Sequence, residues 1–186
     1  MEGLTKIQGE RLAAVKALIT DCDGVFNTGH VFDGPGVPSR KMRTHHDSMG
    51  FELLRRAGIP VLILTAEAED YIKPVAEKMT RAFPAVPVEY AANVKGKAKI
   101  EVAENWLIPK GVTLAEAAYM GDDIGDYKLL MAAGFAAAPS QANRILDHVP
   151  NLWRSSCRGG DGAIRELCDL ILEAKGIDPL NLVADR

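Results

Sequence analysis

The 186-residue sequence has few cysteines and no long apolar stretch. Its three cysteines, Cys22, Cys157 and Cys168, are an odd number without the spacing of a metal site, which favours a reducing compartment. No apolar run approaches the roughly 20 residues that a membrane-spanning helix needs. Residues 1–6 also lack the pattern of a signal peptide, so we expect a cytoplasmic protein.

The chain has no excess of basic residues either. Its 22 Lys and Arg stand against 25 Asp and Glu, which gives a formal net charge of −3. This balance argues against nucleic acid or an anionic membrane as a partner. The length and the hydrophobic content of 47% are typical of a globular protein with a sizeable core. We therefore expect one domain over residues 1–186 that acts on a small molecule.

An acidic pair, Asp21 and Asp23, follows an apolar run at residues 15–20 that predicts a buried β-strand. Gly24 comes next and allows the chain to turn after the strand. Two carboxylates at the end of a strand can take different roles in phosphoryl transfer, since one can attack phosphorus while the other transfers a proton. The same pattern is common in turns and helix caps, so the pair alone does not decide the function.

Three further polar groups stand at or near the ends of apolar runs. They are Thr65, the acidic cluster that begins at Asp122, and Lys97, which opens a helical stretch. Each also has an ordinary structural interpretation. Thr65 can be a strand-edge residue, the acidic cluster a helix cap and Lys97 a surface charge. The carboxyl ends of parallel strands form one crevice, so we expect the acidic pair to meet Thr65 and Asp122 there.

Strand and helix signals alternate along the chain, which predicts an α/β fold with a Rossmann-like, doubly wound parallel sheet. Strands are predicted over residues 15–20, 59–64, 86–90, 117–120 and 135–138. Helices are predicted over residues 51–56, 69–80, 97–107, 126–133 and 163–174, and Asp47 or Ser48 can cap the first. The tail at residues 177–186 has no strong pattern.

The sequence leaves no room for an inserted cap domain between the acidic pair and Thr65. About 40 residues separate them, and these already contain a predicted helix. What remains, residues 29–43, is rich in Gly and Pro and can form a small β-hairpin, which we call the flap.

The order Asp-x-Asp-Gly, strand-end Thr, Lys and Gly-Asp-Asp-x-x-Asp resembles the haloacid dehalogenase (HAD) superfamily. Residues 23–26, 47–51 and 159–166 resemble its sugar-acid phosphatase branch, and the resemblance covers roughly residues 15–176. It implies hydrolysis of a phosphorylated sugar acid, either 3-deoxy-D-manno-octulosonate 8-phosphate, a precursor in lipopolysaccharide biosynthesis, or a related nonulosonate 9-phosphate. It also implies a homotetramer in which a neighbouring subunit covers the uncapped site, with the flap at the interface.

The resemblance further implies a role for each carboxylate of the motif. Asp21 is the nucleophile that forms an aspartyl phosphate, and Asp23 is the general acid and base. The implied cofactor is Mg²⁺, held by the side chains of Asp21 and Asp122 and by the backbone carbonyl of Asp23.

The other motif residues take supporting roles in this resemblance. Thr65, Ala66 and Lys97 bind the phosphoryl group of the substrate. Asp123 and Asp126 lie behind the metal ligands, where they orient water and Lys97.

The sequence departs from the branch after the strand-end threonine. Ala66-Glu67 stands where relatives usually have Gly-Arg, so an acid replaces a base near the expected position of an anionic substrate. Either the substrate is less acidic than the octulosonate, or another base such as Arg158 compensates.

Two readings compete with an enzyme. A receiver-type signalling module would place its phosphoacceptor Asp at the end of the strand at 59–64, where Thr65 stands instead. A non-catalytic or regulatory member that binds a sugar phosphate is the remaining alternative. Because every core catalytic residue is present, we favour the enzyme.

Overall fold

The computed structural model describes residues 4–184, so the ends of the expected domain at 1–3 and 185–186 lie outside the described residues. The strands are β1 Ala17–Asp21, β2 Val31–Gly34, β3 Val37–Lys41, β4 Val61–Leu64, β5 Val88–Ala91, β6 Ala117–Met120, β7 Phe135–Ala138 and β8 Trp153–Arg154. The α-helices are α1 Lys6–Ala14, α2 His45–Arg56, α3 Ile72–Ala82, α4 Ala98–Leu107, α5 Tyr127–Ala132 and α6 Ala163–Ala174.

Six of the strands form one sheet in the order β5–β4–β1–β6–β7–β8, and every neighbouring pair is parallel. The chain starts near the middle at β1, builds outwards through β4 and β5, and then crosses to β6 on the other side. This reversal creates a switch point beside β1, where ligands of such sheets bind.

Both faces of the sheet are buried, as the alternation of side chains along β1 illustrates. Leu18 points into a core shared with α1, α2, α3 and α6. Ala17 and Ile19 point to the opposite face, where α4 and α5 pack. The prediction of a doubly wound parallel α/β sheet is therefore confirmed.

The cap of α2 differs from the expectation. The hydroxyl of Thr44, not Asp47 or Ser48, accepts the backbone hydrogen bond at the start of this helix. Asp47 is fully buried and reaches across to α6 instead, where it accepts from the backbone N–H groups of Gly162 at 3.2 Å and Arg165 at 2.9 Å. Asp47 thus links α2 to the start of α6.

The predicted flap contains an antiparallel hairpin of β2 and β3. Val31 and Phe32 on this hairpin are exposed, with Phe32 60% accessible, and Lys41 ends its second strand. In the described span between β1 and β4, the chain forms a tight loop, the flap and α2, without a separate cap domain. Among the described residues, no helix has the length and apolar character required to cross a membrane.

Candidate active site

Strand register brings the motif residues to one end of the sheet. Thr65 directly follows the β4 partner of Asp21. Thr20 pairs with Met120, so Asp122 emerges from β6 on the other side of β1. Asp21, Thr65 and Asp122 therefore share the carboxyl edge of the sheet.

Three carboxylates gather at this edge. Asp21, Asp122 and Asp126 each offer an oxygen, and the three oxygens lie within 4.8 Å of one another. Burial, followed by the charge of Asp126, raises the pKa of Asp21 to about 6. Burial and the charges of Asp126 and Asp21 raise the pKa of Asp122 to about 7. Such crowding favours a bound cation, and an all-oxygen donor set fits Mg²⁺.

Gly24 lets the two acidic segments approach each other. Its φ is +77°, and a Cβ at this position would lie 2.0 Å from Oδ2 of Asp122. Any larger residue would push the loop after Asp23 away from Asp122. The glycine at the end of Asp-x-Asp-Gly is therefore required for contact as well as for the turn.

The Gly-rich segment at residues 159–162 supports the acidic loop. A Cβ on Gly159 would lie 1.8 Å from the carbonyl oxygen of Gly24. Gln141 bridges the two glycines, since its Nε2 donates to the Gly24 carbonyl at 2.7 Å and its Oε1 accepts from the Gly159 N–H at 2.9 Å. This segment packs against the loop that carries Asp23.

The structure places a different lysine beside Asp21 from the one that the sequence motif suggested. Lys97 is exposed at the residue before α4, whereas Lys99 is buried. The Nζ of Lys99 lies 3.0 Å from Oδ1 of Asp21 and 2.6 Å from Oδ1 of Asp126. Burial opposes the charge of Lys99, but the two carboxylates outweigh it and raise its pKa. Lys99, not Lys97, therefore supplies the positive charge beside Asp21.

A signal for Lys99 was present in the sequence. Positions 99, 103 and 107 are four residues apart, and Ala103 and Leu107 form the buried face of α4. Lys97 lies two residues away from Lys99, about 200° around a helix, and so falls on the other side.

Asp126 organises the acidic loop. Its Oδ1 accepts from Lys99 and from the hydroxyl of the fully buried Tyr119 at 2.5 Å. Its Oδ2 accepts from the backbone N–H groups of Asp122 at 2.9 Å and Asp123 at 3.2 Å. With both oxygens engaged, Asp126 is suited to orienting its neighbours.

The side chain of Asp23 is held by two donors. Its Oδ1 accepts from Nδ2 of Asn27 at 2.9 Å and from Nζ of Lys41 at 2.5 Å. Lys41 also forms an ion pair with Glu67. The base that the structure places on Glu67 is thus a lysine of the flap.

A groove of about 530 Å³ opens beside this pair, between the flap and α3. Lys41, Glu67, Tyr71 and Pro74 are among its lining residues. Since Lys41 contacts Asp23, the groove adjoins the acidic pair. Ala66 is exposed in the loop next to Thr65, which is buried.

The fold carries an acidic pair after its central strand, with a lysine and an acidic loop around that pair. This combination places the protein in the class of HAD-type hydrolases. A solved hydrolase from Legionella pneumophila, assigned to the HAD superfamily (subfamily III A), has a TM-score of 0.87 and 28% identity, covering 97% of this chain and 95% of its own. No family model matches the chain.

The particular family follows from the relatives. The 3-deoxy-D-manno-octulosonate 8-phosphate phosphatase KdsC of Haemophilus influenzae is 31% identical over 174 residues, which cover 90% of this chain and 88% of the relative. The chain belongs to this family of HAD-type phosphoric monoester hydrolases. A solved cobalt-bound octulosonate 8-phosphate phosphatase from Haemophilus influenzae has a TM-score of 0.76 and 28% identity, covering 89% of this chain and 92% of its own.

Proposed function

We propose that this protein is a Mg²⁺-dependent phosphatase of 3-deoxy-D-manno-octulosonate 8-phosphate or a related nonulosonate 9-phosphate. The observation that carries the proposal is the contact of Lys99 with Asp21 inside a cluster of three carboxylates. The activity named for the Haemophilus influenzae relative supports the substrate class.

In this proposal the reaction has two steps. A carboxylate oxygen of Asp21 attacks phosphorus, the P–O bond to the sugar breaks, and Asp23 gives a proton to the departing alkoxide. Asp23 then takes a proton from water, which attacks the phosphorus of the aspartyl phosphate and releases inorganic phosphate. Lys99 and the hydroxyl of Thr65 stabilise the charge on the transferring group, with Ala66 beside it.

Mg²⁺ fits the donors that this edge of the sheet presents. We assign the side chains of Asp21 and Asp122 and the backbone carbonyl of Asp23 as its ligands. Asp126 and Asp123 orient the loop from behind, since both oxygens of Asp126 already accept hydrogen bonds. When bound, the cation offsets the repulsion between an anionic nucleophile and a dianionic phosphate.

The groove between the flap and α3 is our proposed site for the sugar. Glu67 would repel a carboxylate there, but its ion pair with Lys41 reduces that repulsion. A carboxylate also accepts hydrogen bonds from sugar hydroxyls. The groove therefore suits a polyol chain that carries its acid group away from Glu67.

Phosphate release from a substrate panel tests the proposal. The panel contains octulosonate 8-phosphate, a nonulosonate 9-phosphate and glucose 6-phosphate, each with Mg²⁺ and with excess chelator. We expect the highest kcat/KM on a sugar acid and no turnover in chelator. A preference for glucose 6-phosphate would contradict the substrate class. Binding of sugar-acid phosphates without turnover would favour the non-catalytic alternative.

We also propose a cytoplasmic homotetramer. The exposed Val31, Phe32 and Met42 give the flap region an apolar surface that a second copy can cover. The free thiols of Cys157 and the two buried cysteines fit a reducing compartment. Covering the open site by a neighbouring subunit would exclude water from the sugar.

A further inference from the structure

Lys41 is the least expected residue at the site, because it comes from the flap. Its Nζ contacts Oδ1 of Asp23 at 2.5 Å and pairs with Oε2 of Glu67. The Lys41 side chain is only 5% exposed, although it belongs to a projecting hairpin. Its ammonium also lies 5.4 Å from the centre of the Tyr71 ring.

Asn27 and Lys41 hold the same carboxylate oxygen of Asp23. Among the described residues, both donors to the Asp23 side chain, Asn27 and Lys41, reach Oδ1. Oδ2 is therefore the oxygen available to exchange a proton with a leaving group. Two donors on a single oxygen also restrict rotation of the carboxyl group about its bond to Cβ.

Glu67 holds Lys41 in turn. A lysine side chain has several rotatable bonds, and ordering it costs conformational entropy. The ion pair with Glu67 and the contact with Tyr71 offset that cost by fixing the ammonium group on two sides. Burying the ammonium is tolerable only because both carboxylates compensate its charge, and their hydrogen bonds raise the pKa of Lys41 despite its burial.

We propose that Lys41 is a positioning residue for the proton transfer by Asp23, and that Glu67 secures it. The proposal rests on the proposed function, because it assigns a role within that reaction. In this role Lys41 touches Asp23 rather than the phosphate. It makes proton donation to the leaving group depend on the placement of the flap.

The leaving group separates this role from direct phosphate binding. A sugar alkoxide is a poor leaving group and needs the proton of Asp23, whereas p-nitrophenolate leaves without one. Because kcat/KM reports the steps up to the first irreversible one, it isolates phosphoryl transfer to Asp21 from the later hydrolysis. A phosphate-binding lysine would instead affect both substrates equally, since both carry the same phosphoryl group.

The experiment compares Lys41→Met, Lys41→Arg and Lys73→Met with the wild type on octulosonate 8-phosphate and p-nitrophenyl phosphate. Lys73→Met is the matched control, because Lys73 in the first turn of α3 pairs with Glu69 in an exposed salt bridge. We expect Lys41→Met to lower kcat/KM on the sugar phosphate by about tenfold or more, since a positioned acid contributes roughly 10²–10⁴. On p-nitrophenyl phosphate the change should stay within about threefold. Lys41→Arg should recover part of the loss, and Lys73→Met should match the wild type.

A double-mutant cycle completes the test. If Lys41 acts through Asp23, then adding Lys41→Met to Asp23→Asn causes no further loss on the sugar phosphate. Additive losses, or equal losses on the two substrates, would overturn the positioning role while leaving the phosphatase intact. A folded wild type that hydrolyses neither substrate would overturn the proposed function, and the role of Lys41 with it.

Discussion

Asp21 has charged neighbours of both signs, two carboxylates and one ammonium group. The carboxylates of Asp122 and Asp126 crowd it, while the ammonium of Lys99 contacts it at 3.0 Å. One lysine does not balance three carboxylates, so the cluster retains a strong affinity for protons. The same imbalance gives it affinity for a divalent cation, which competes with those protons.

Mg²⁺ binding should therefore weaken in acid. The pKa of Asp21 is about 6 and that of Asp122 about 7, so both carboxyl groups gain protons as the pH falls through this range. Each proton that must leave lowers the affinity by up to about tenfold per pH unit. Isothermal titration calorimetry in mildly alkaline and mildly acidic buffers would measure the change. Equal affinity in both buffers would contradict the assignment of these carboxylates as ligands.

The two lysines near the start of α4 give a direct comparison. Lys99→Met removes the charge beside Asp21, and we expect kcat to fall by roughly 10²-fold, as for a lost transition-state donor. Lys97→Met changes an exposed side chain and should stay within about twofold of the wild type. Steady-state kinetics on octulosonate 8-phosphate distinguishes them, and the reverse ranking would restore the assignment of Lys97.

Residue types were easier to predict than their partners. The acidic motifs could be predicted because the ends of parallel strands bring them together, however the helices pack. The motif pointed to Lys97, but the helical phase set by the buried Ala103 and Leu107 places Lys99 on the inner face of α4. Lys41 had no local signal, since its contact with Asp23 depends on how the flap folds back.

At the element scale, the loop after β1 is shaped by glycine contacts. The bridge by Gln141 and the close approach of Gly159 to Gly24 hold it against the segment before α6. This packing explains why a Gly-rich stretch far along the chain belongs to the site, although its Asp161 is not one of the three clustered carboxylates.

Gly159→Ala should disturb that loop. The new methyl group would lie 1.8 Å from the Gly24 carbonyl oxygen, so one backbone must move. We expect a loss of about 1–3 kcal/mol in the free energy of unfolding, together with reduced kcat/KM. Urea unfolding measures the first quantity. Gly9→Ala in α1 is the control, since that position is open and helical, and it should gain about 0.5–1 kcal/mol.

Element boundaries were predicted best where local signals are strong. The predictions for α6 and β7 are confirmed at Ala163–Ala174 and Phe135–Ala138. An apolar stripe marks the first, and a preceding glycine marks the second. The capping of α6 by Asp47 could not be predicted, because the two helices are distant in sequence and meet only after the core has formed.

At the scale of the whole molecule, the site is open on the side of the flap. The exposed Phe32 gives this hairpin an apolar tip, which a soluble monomer would leave in water. A second copy of the chain would remove that surface from solvent and cover the groove beside Glu67.

Light scattering tests this assembly. We expect a tetramer for the wild type and a smaller species for Phe32→Glu, because a charge at the interface core is costly to bury. Ile108→Glu is the matched control: Ile108 is 70% exposed but lies outside the flap, so this variant should stay tetrameric. A wild-type monomer with normal kinetics on the sugar phosphate would contradict the interface.

The specificity of the groove can be probed through Glu67. In Glu67→Arg the new cation replaces the acid, so an anionic sugar should gain affinity relative to a neutral one. Lys41 would lose one of its two carboxylate partners at the same time and keep only Asp23, which lowers kcat on both substrates. The measured quantity is the ratio of kcat/KM for octulosonate 8-phosphate to that for glucose 6-phosphate. An unchanged ratio would show that Glu67 does not contact the substrate.

In the proposed function, Asp21 is the nucleophile in the Mg²⁺-dependent hydrolysis of a sugar-acid phosphate. The most direct test of this role is phosphate release from octulosonate 8-phosphate by the wild type and by Asp21→Asn, both saturated with Mg²⁺. We expect steady turnover by the wild type and none above background by the variant, because an amide is not a competent nucleophile. Comparable turnover by the two proteins would contradict this role.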